Sequence, residues 1–321
     1  AGTVNVAGTI SNFLPYTLAL TAAEDVSIGF NDGIVTFDEG EVSAVASISG
    51  NELATLNISK GLSYNVETKE IAFAEGTTFS GETQILSGGN ISLVAKEEAA
   101  GNLAFDSSKF GISYTPTTAG TMTVNIQQND VPLYNGDIKL NEGTLTYTLS
   151  NNLILSSGTS MDLTLNSTLL SITATGEEPS TINLSDGEIA LTASDSNSLN
   201  IVASKDGTPL FGGNLDLISG TISINRQTKK LKATEGTKAI MTLANGDQFS
   251  FEIIDGEENG TIAVVDGNIV YTPDEGNGNL KVDILNAGGE TTFSNKITVS
   301  NGSIIFNSAE RAVGLTSGTV V

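Results

Sequence analysis

The 321-residue chain contains no cysteine, no histidine and no tryptophan. Without cysteine there is no disulfide and no thiolate nucleophile. Without histidine the commonest general base is missing, and with it the Ser-His-Asp and Cys-His arrangements. Both absences together remove the usual ligands of structural zinc. Basic residues are scarce: 14 Lys and Arg face 37 Asp and Glu, a formal net charge of −23. Such a field repels phosphate backbones and anionic bilayers, so no nucleic-acid partner is expected. The one basic cluster, Arg226, Lys229, Lys230 and Lys232, is small. No apolar run approaches the roughly 20 residues of a membrane span, so none is expected in this segment. No Walker loop occurs, and no glycine-rich loop joins a strand to a helix. The opening Ala1-Gly2-Thr3 has neither a basic start nor an apolar signal core, which fits a mature or excised segment.

What remains is rich in Gly, Thr, Ser and Asn, with aromatics at 6% and six prolines. That mixture suits short strands divided by turns. Alternation of apolar residues is frequent, as in Met122-Val124-Ile126, Leu145-Tyr147-Leu149, Ile222-Ile224 and Leu280-Val282-Ile284. A period of two is the mark of a strand with one face buried. Helical spacing is nearly absent; Lys96 to Ala100 has room for one turn. The chain is therefore all-β.

A local unit recurs, in which alternating apolar residues meet a turn ending in Gly and then resume. Ile28-Phe30 before Asn31-Asp32-Gly33 is one case, Ile138-Leu140 before Asn141-Glu142-Gly143 a second, and Ile297-Val299 before Ser300-Asn301-Gly302 a third. The turn residues fall into three phased series. Gly33, Gly111, Gly187 and Gly267 are spaced by 78, 76 and 80 residues. Gly61, Gly143, Gly220 and Gly302 are spaced by 82, 77 and 82. Gly89, Ser167 and Gly246, with a degenerate copy near Asn12, give 78 and 79. Tyr114-Thr115-Pro116 and Tyr271-Thr272-Pro273 match two periods apart. A Gly-Thr junction stands at Gly2, Gly76, Gly158, Gly236 and Gly318. These phases predict four tandem repeats: 1–75, 76–157, 158–235 and 236–317, with 318–321 the start of a further repeat or a tail. Because the chain opens and closes at one phase, a piece of a longer array is expected, or a chain whose ends join in register.

Two architectures fit. A parallel β-helix, or β-solenoid, has three units of about 26 residues per repeat and a narrow aliphatic core. Scarce aromatics and Asn/Ser/Thr turns favour it, and it is the leading expectation. The alternative is an array of small antiparallel β-sandwich modules, favoured by three-residue turns ending in Gly.

Gly267-Asn268-Ile269-Val270-Tyr271-Thr272-Pro273-Asp274, followed by Gly278 and Leu280-Lys281-Val282-Asp283-Ile284, resembles the distal half of immunoglobulin-like or cadherin-like repeats of bacterial surface adhesins. The resemblance covers about 40 residues, and Gly111 to Ile126 echoes it. By composition the whole is also similar to the solenoid passenger regions of bacterial adhesins. The resemblance implies a bacterial, extracellular or cell-surface repeat protein that acts as stalk, fibre or adhesin segment and is not an enzyme. Its partners would be a glycan or surface receptor, or further copies joined end to end.

Chemistry has few footholds. Asp162, Asp186, Asp247 and Asp283 are carboxylates that no motif singles out, so a polysaccharide-degrading β-helix enzyme is the distant alternative. The runner-up function is a carbohydrate- or host-ligand-binding module, with Tyr134 and Phe211 at matching phase as either a sugar-stacking platform or core residues. No cofactor is expected, with calcium the one exception. Asp255, Glu257 and Glu258, with Asp266 and Asp274, form the densest set of hard oxygen ligands. The competing explanation is that Asp, Asn and Gly are simply good turn residues.

Overall fold

The computed structural model describes residues 3–10, 14–22, 28–32, 34–37, 42–48, 51–58, 62–65, 67–68, 70–73, 75–83, 89–96, 99–106, 111–128, 131–148, 150–165, 168–185, 187–194, 196–205, 207–209, 214–225, 230–243, 245–254, 260–265, 268–274, 278–307 and 312–319. Strands dominate these residues, and none of them is helical. The segment 1–75 holds β1 (Thr3–Ile10), β2 (Leu14–Ala22), β3 (Ile28–Asn31), β4 (Ile34–Phe37), β5 (Val42–Ile48), β6 (Asn51–Ile58), β7 (Leu62–Asn65) and β8 (Glu70–Phe73). Residues 76–157 hold β9 (Thr78–Thr83), β10 (Gly89–Ala95), β11 (Ala100–Asp106), β12 (Gly111–Thr118), β13 (Gly120–Gln128), β14 (Val131–Glu142), β15 (Leu145–Thr148) and β16 (Asn152–Leu155). Residues 158–235 hold β17 (Ser160–Leu165), β18 (Thr168–Gly176), β19 (Ser180–Ser185), β20 (Glu188–Ala193), β21 (Asn197–Lys205), β22 (Thr208–Pro209), β23 (Leu215–Asn225) and β24 (Leu231–Ala233). Residues 236–317 hold β25 (Lys238–Thr242), β26 (Gln248–Ile253), β27 (Gly260–Val265), β28 (Asn268–Pro273), β29 (Gly278–Leu285), β30 (Thr291–Val299), β31 (Ile304–Asn307) and β32 (Ala312–Leu315).

By compactness the chain divides into two units, Ala1–Ile154 with Met161–Leu163, and Leu155–Ser160 with Thr164–Val321. In the first unit one sheet runs β1-β2-β5-β6-β9-β10-β13-β14, called sheet I. A second, sheet II, runs β3-β4-β7-β8-β11-β12-β15. The second unit follows the same plan. Its sheet I runs β18-β21-β23-β25-β26-β29-β30. Its sheet II runs β19-β20-β23-β24-β27-β28-β31-β32. The chain thus lays a hairpin in sheet I, then one in sheet II, and returns. Strand β23 serves both layers: Leu215 to Leu217 pair in sheet I and Gly220 to Asn225 in sheet II.

Every pairing among the described residues is antiparallel, which corrects the expectation of a parallel β-helix. The physical reason lies in the connections. Parallel neighbours need a crossover of a dozen or more residues. Here Ser185 and Glu188 face each other across two intervening residues, so the chain reverses directly into its own neighbour. At two of the expected repeat boundaries the pairing runs on from one repeat into the next. Pairs β6–β9 and β8–β11 cross from 1–75 into 76–157, and β23–β25 and β24–β27 cross from 158–235 into 236–317. The hydrogen-bond ladder is continuous there, and no closed module ends.

The core follows from alternation. Met122, Val124 and Ile126 of β13 are buried, as are Leu199, Ile201 and Ala203 of β21 and Phe249, Phe251 and Ile253 of β26. In the second unit Phe249 of sheet I meets Phe306 of sheet II with ring centroids 4.7 Å apart, a contact between layers. Tyr114 and Tyr271 are both buried, and each lies over a glycine of the adjacent strand. A Cβ at Gly101 would stand 2.6 Å from Cε2 of Tyr114, and one at Gly260 would stand 2.7 Å from Cζ of Tyr271. Glycine is required at both places because the ring occupies the space of a side chain.

Candidate functional site

The feature with the most internal chemistry is the Gly-Thr junction, where the chain leaves sheet II and enters sheet I. Gly76, Gly158, Gly236 and Gly318 have φ of 84°, 77°, 77° and 81°, a left-handed conformation open mainly to glycine. The threonine that follows is buried in three of the four: Thr77, Thr159 and Thr237. Thr237 Oγ1 donates to the Thr221 carbonyl at 2.9 Å and accepts the Thr221 N–H at 3.1 Å. Its own N–H reaches the Thr234 carbonyl at 3.1 Å. Ser219 Oγ donates to the Gly236 carbonyl at 3.2 Å. The same bonds recur 82 residues on. Thr319 Oγ1 donates to the Ser303 carbonyl and accepts the Ser303 N–H, each at 3.1 Å. Asn301 Nδ2 donates to the Gly318 carbonyl at 3.2 Å. A Cβ on Gly220 would stand 2.5 Å from Cα of Thr237, and one on Gly302 2.7 Å from Cα of Thr319. At these two junctions a glycine of another series, Gly220 or Gly302, packs against the threonine that follows the junction glycine.

Where that device joins strands, it also starts the next hairpin. Gly76 N–H donates to Ala95 and the Ala95 N–H to Thr77; Gly158, Ala174 and Thr159 form the same pair of bonds, as do Gly236, Ile253 and Thr237.

The described carboxylates among the catalytic candidates stand on separate elements. Asp162 lies in β17 and Asp283 in β29, where its Oδ1 accepts from Ser294 Oγ at 2.6 Å. Asp186 lies outside the described residues. Asp247 is the one charged residue among the described residues that is buried, at 2% exposure. Its Oδ1 accepts the Ala287 N–H at 3.0 Å and its Oδ2 accepts Asn245 Nδ2 at 2.9 Å. The carboxylate stitches the β25–β26 turn to the β29–β30 turn. Sequence reasoning grouped it with potential catalysts; its neighbours Asn245 and Gly246 were the turn signal.

Of the calcium candidates, Asp255, Glu257, Glu258 and Asp266 lie outside the described residues. Asp274 is described, and both of its oxygens have protein partners: Lys232 Nζ at 2.7 Å and Thr261 Oγ1 at 3.1 Å. Tyr134 is fully buried and donates its hydroxyl to the Asp137 carbonyl at 2.9 Å, so it is a core residue and not a platform. Phe211 lies outside the described residues.

Among the described residues, two concavities of the first unit stand out. One, about 50 Å³, lies between the layers among Leu103, Tyr114, Val124, Ile138 and Leu145. It is far below the roughly 300 Å³ of a small-molecule site and is a packing gap. Burial pushes the Tyr114 hydroxyl up to about 12 there, and the neighbouring Tyr147 to about 12 for the same reason. Among the described residues the Tyr114 hydroxyl has no hydrogen-bond partner. The other concavity, about 270 Å³, is open and polar, between Thr115–Ala119 and Asn141–Thr144. Thr115 and Thr144, two of its lining residues, join their hydroxyls at 2.9 Å.

Comparison with known protein families, curated proteins and solved structures finds no match to the chain.

Proposed function

We propose that this chain is a non-enzymatic structural or adhesive array of tandem repeats, a stalk, fibre or adhesin segment of a bacterial extracellular or cell-surface protein. The supporting observation is the junction, whose bonds around Thr237 recur around Thr319. A fold that extends by repeating a local hydrogen-bonded device gains length without needing a distant contact, and length is what a stalk supplies. The partly paired hydroxyl and amide side chains on the outer faces, with a net charge of −23, keep such an array soluble. Labelling intact cells of the source organism with antibodies to the chain tests the reading; a signal only after lysis refutes the surface location. Incubating the chain with a panel of polysaccharides tests the rest, since the appearance of new reducing ends would establish an enzyme.

A second reading, a glycan-binding module, is favoured by the groove lined by Thr115, Thr117, Asn141 and Glu142. Neutral hydroxyl and amide groups beside one carboxylate suit a sugar. Binding on a glycan array that is lost in Asn141→Ala supports it, and an array blank at every glycan removes it.

A further inference from the structure

The chain holds five Asn-Gly pairs, at Asn135, Asn245, Asn259, Asn277 and Asn301. In such a pair the glycine nitrogen has no Cβ beside it, so it can reach the side-chain carbonyl carbon of the asparagine before it. Asn259 and Asn277 lie outside the described residues. The fold treats the other three differently. Asn135 is exposed but stands inside β14, where it faces Asn125, and Gly136 faces Val124 across the ladder. An extended backbone turns Cγ away from the next nitrogen, and the ladder holds it so. Asn245 is held at both ends of its amide: Oδ1 accepts the Asp247 N–H at 3.0 Å and Nδ2 donates to Asp247 Oδ2 at 2.9 Å. The Gly246 N–H is engaged as well, donating to the Leu243 carbonyl at 2.9 Å. Asn301 is exposed and belongs to neither β30 nor β31. Its Nδ2 donates to the Gly318 carbonyl at 3.2 Å, the long end of the usual range. We infer that Asn301 is a site of spontaneous deamidation, which the fold leaves open while it closes Asn135 and Asn245.

The Gly302 nitrogen attacks Cγ of Asn301. A nitrogen–Cγ bond forms, the Cγ–Nδ2 bond breaks, and Nδ2 leaves as ammonia with the proton of the Gly302 N–H. Water then opens the cyclic imide at either carbonyl. One opening yields aspartate; the other yields isoaspartate, whose main chain runs through Cβ and Cγ and carries an extra carbon. The net exchange is an amide and water for a carboxylate and ammonia, and neither enzyme nor oxidant enters. The two products act differently on the junction. A carboxylate is compatible with this place, since the exposed Glu142 precedes Gly143 of the same glycine series. A longer main chain is not. Gly302 lies so close to Thr319 that a Cβ on it would stand 2.7 Å from Thr319 Cα. The next residue, Ser303, supplies the N–H and the carbonyl that Thr319 Oγ1 binds. Isoaspartate therefore moves Gly302 and Ser303 off the threonine and loosens the passage from β30 to β31. Conversion needs only water and time, so the modified fraction records the age of the folded chain.

The stalk reading does not enter this inference, and the test is separate from it. The full chain is incubated in warm, mildly alkaline buffer, once folded and once unfolded in urea. Peptide mass mapping at intervals follows each Asn-Gly pair, and enzymatic methylation of isoaspartate counts that product. In the folded chain Asn301 should convert at least about tenfold faster than Asn135 and Asn245. In urea the three should convert at similar rates, because the fold no longer separates them. Asn301→Gln should leave position 301 intact under the same conditions. The aged chain should melt below the fresh one, whereas Asn301→Asp, which carries the charge on an unaltered main chain, should melt with the fresh one. Conversion of Asn301 in the folded chain no faster than that of Asn135 or Asn245 overturns the inference. The same preference for Asn301 in urea overturns it too, since the selection would then lie in the sequence and not in the fold. Asn301→Asp as unstable as the aged chain refutes the role given to the longer main chain.

Discussion

Replacing Thr237 by valine tests whether the junction hydroxyl holds the layers in register. Valine keeps the volume and branching of threonine and removes only Oγ1. That oxygen is fully buried, donates to the Thr221 carbonyl at 2.9 Å and accepts the Thr221 N–H at 3.1 Å. The carbonyl keeps a partner, since the Thr234 N–H also reaches it at 3.2 Å. The Thr221 N–H loses its acceptor. Leaving a buried donor unmet costs about 1–3 kcal/mol, and a methyl group in the same space returns only a small part of that. For a unit of this size each kcal/mol lowers the melting temperature by about 2–4 °C.

Thr319→Val supplies the internal control. Its hydroxyl makes the same pair of bonds to Ser303, but the site is half-buried, and the Ser303 N–H has Thr316 Oγ1 as a second acceptor at 2.9 Å. Water or Thr316 takes over, so the cost should be under about 0.5 kcal/mol. Urea unfolding followed by tryptophan-free near-ultraviolet circular dichroism, with calorimetry alongside, measures both variants. A Thr237→Val variant within about 0.5 kcal/mol of the parent, or two variants of equal cost, would show that the junction hydroxyl does not hold the layers.

Four further outcomes are open to measurement. Gly260→Ala forces a Cβ into the Tyr271 ring and should destabilise by about 1–3 kcal/mol, measured as a lower urea midpoint at constant slope. Tyr114→Phe removes a buried hydroxyl without a partner among the described residues and should leave stability unchanged or raise it by up to about 1 kcal/mol. Because burial raises the Tyr114 hydroxyl from 10.0 to about 12, the unfolded chain gives up that proton first. Stability is unaffected by this ionisation below pH 10 and falls as pH rises towards 12, and absorbance at the tyrosinate band should show two late-titrating groups, Tyr114 and Tyr147, of which Tyr114→Phe deletes one. A calcium site on Asp255, Glu257, Glu258, Asp266 and Asp274 requires that millimolar calcium raise the melting temperature; no shift removes it.

Much of the fold is legible because a period of two needs no partner to be seen. Met122, Val124 and Ile126 alternate in the sequence and are buried in β13, and Ile222 and Ile224 do the same in β23. Direction is a different matter. Alternation is identical in parallel and antiparallel strands, so the core pattern carried no information on which way the neighbour runs. The turns carried it, but ambiguously. Asn31-Asp32-Gly33 and Asn141-Glu142-Gly143 have the same form, yet the first closes a hairpin between β3 and β4 while the second carries the chain from β14 in sheet I to β15 in sheet II. Nothing local separates a reversal within a layer from a passage between layers; what decides is whether the next strand finds its ladder beside it or across the core. Three visible glycine series therefore suggested three units per period where eight strands stand among the described residues.

The junction shows the same limit from the other side. Its glycine and threonine were visible as punctuation at Gly76, Gly158, Gly236 and Gly318, but their partner was not. Gly220 and Gly302 belonged to a different series, and only the structure shows that their missing side chains are what admit Thr237 and Thr319. A glycine is informative about its own backbone and silent about what lies against it. The consequence is a coupling that can be measured. Gly220→Ala strains a φ of 81° and drives a Cβ into Cα, N and Oγ1 of Thr237 at 2.5–2.7 Å. Backbone atoms cannot step aside as a flexible side chain can, so the cost should exceed about 2 kcal/mol. In Gly220→Ala with Thr237→Val the hydroxyl bonds are already broken by the first change, so the second should add little. A double-mutant cycle giving simple additivity to within about 0.5 kcal/mol would show that the two residues do not act as one junction.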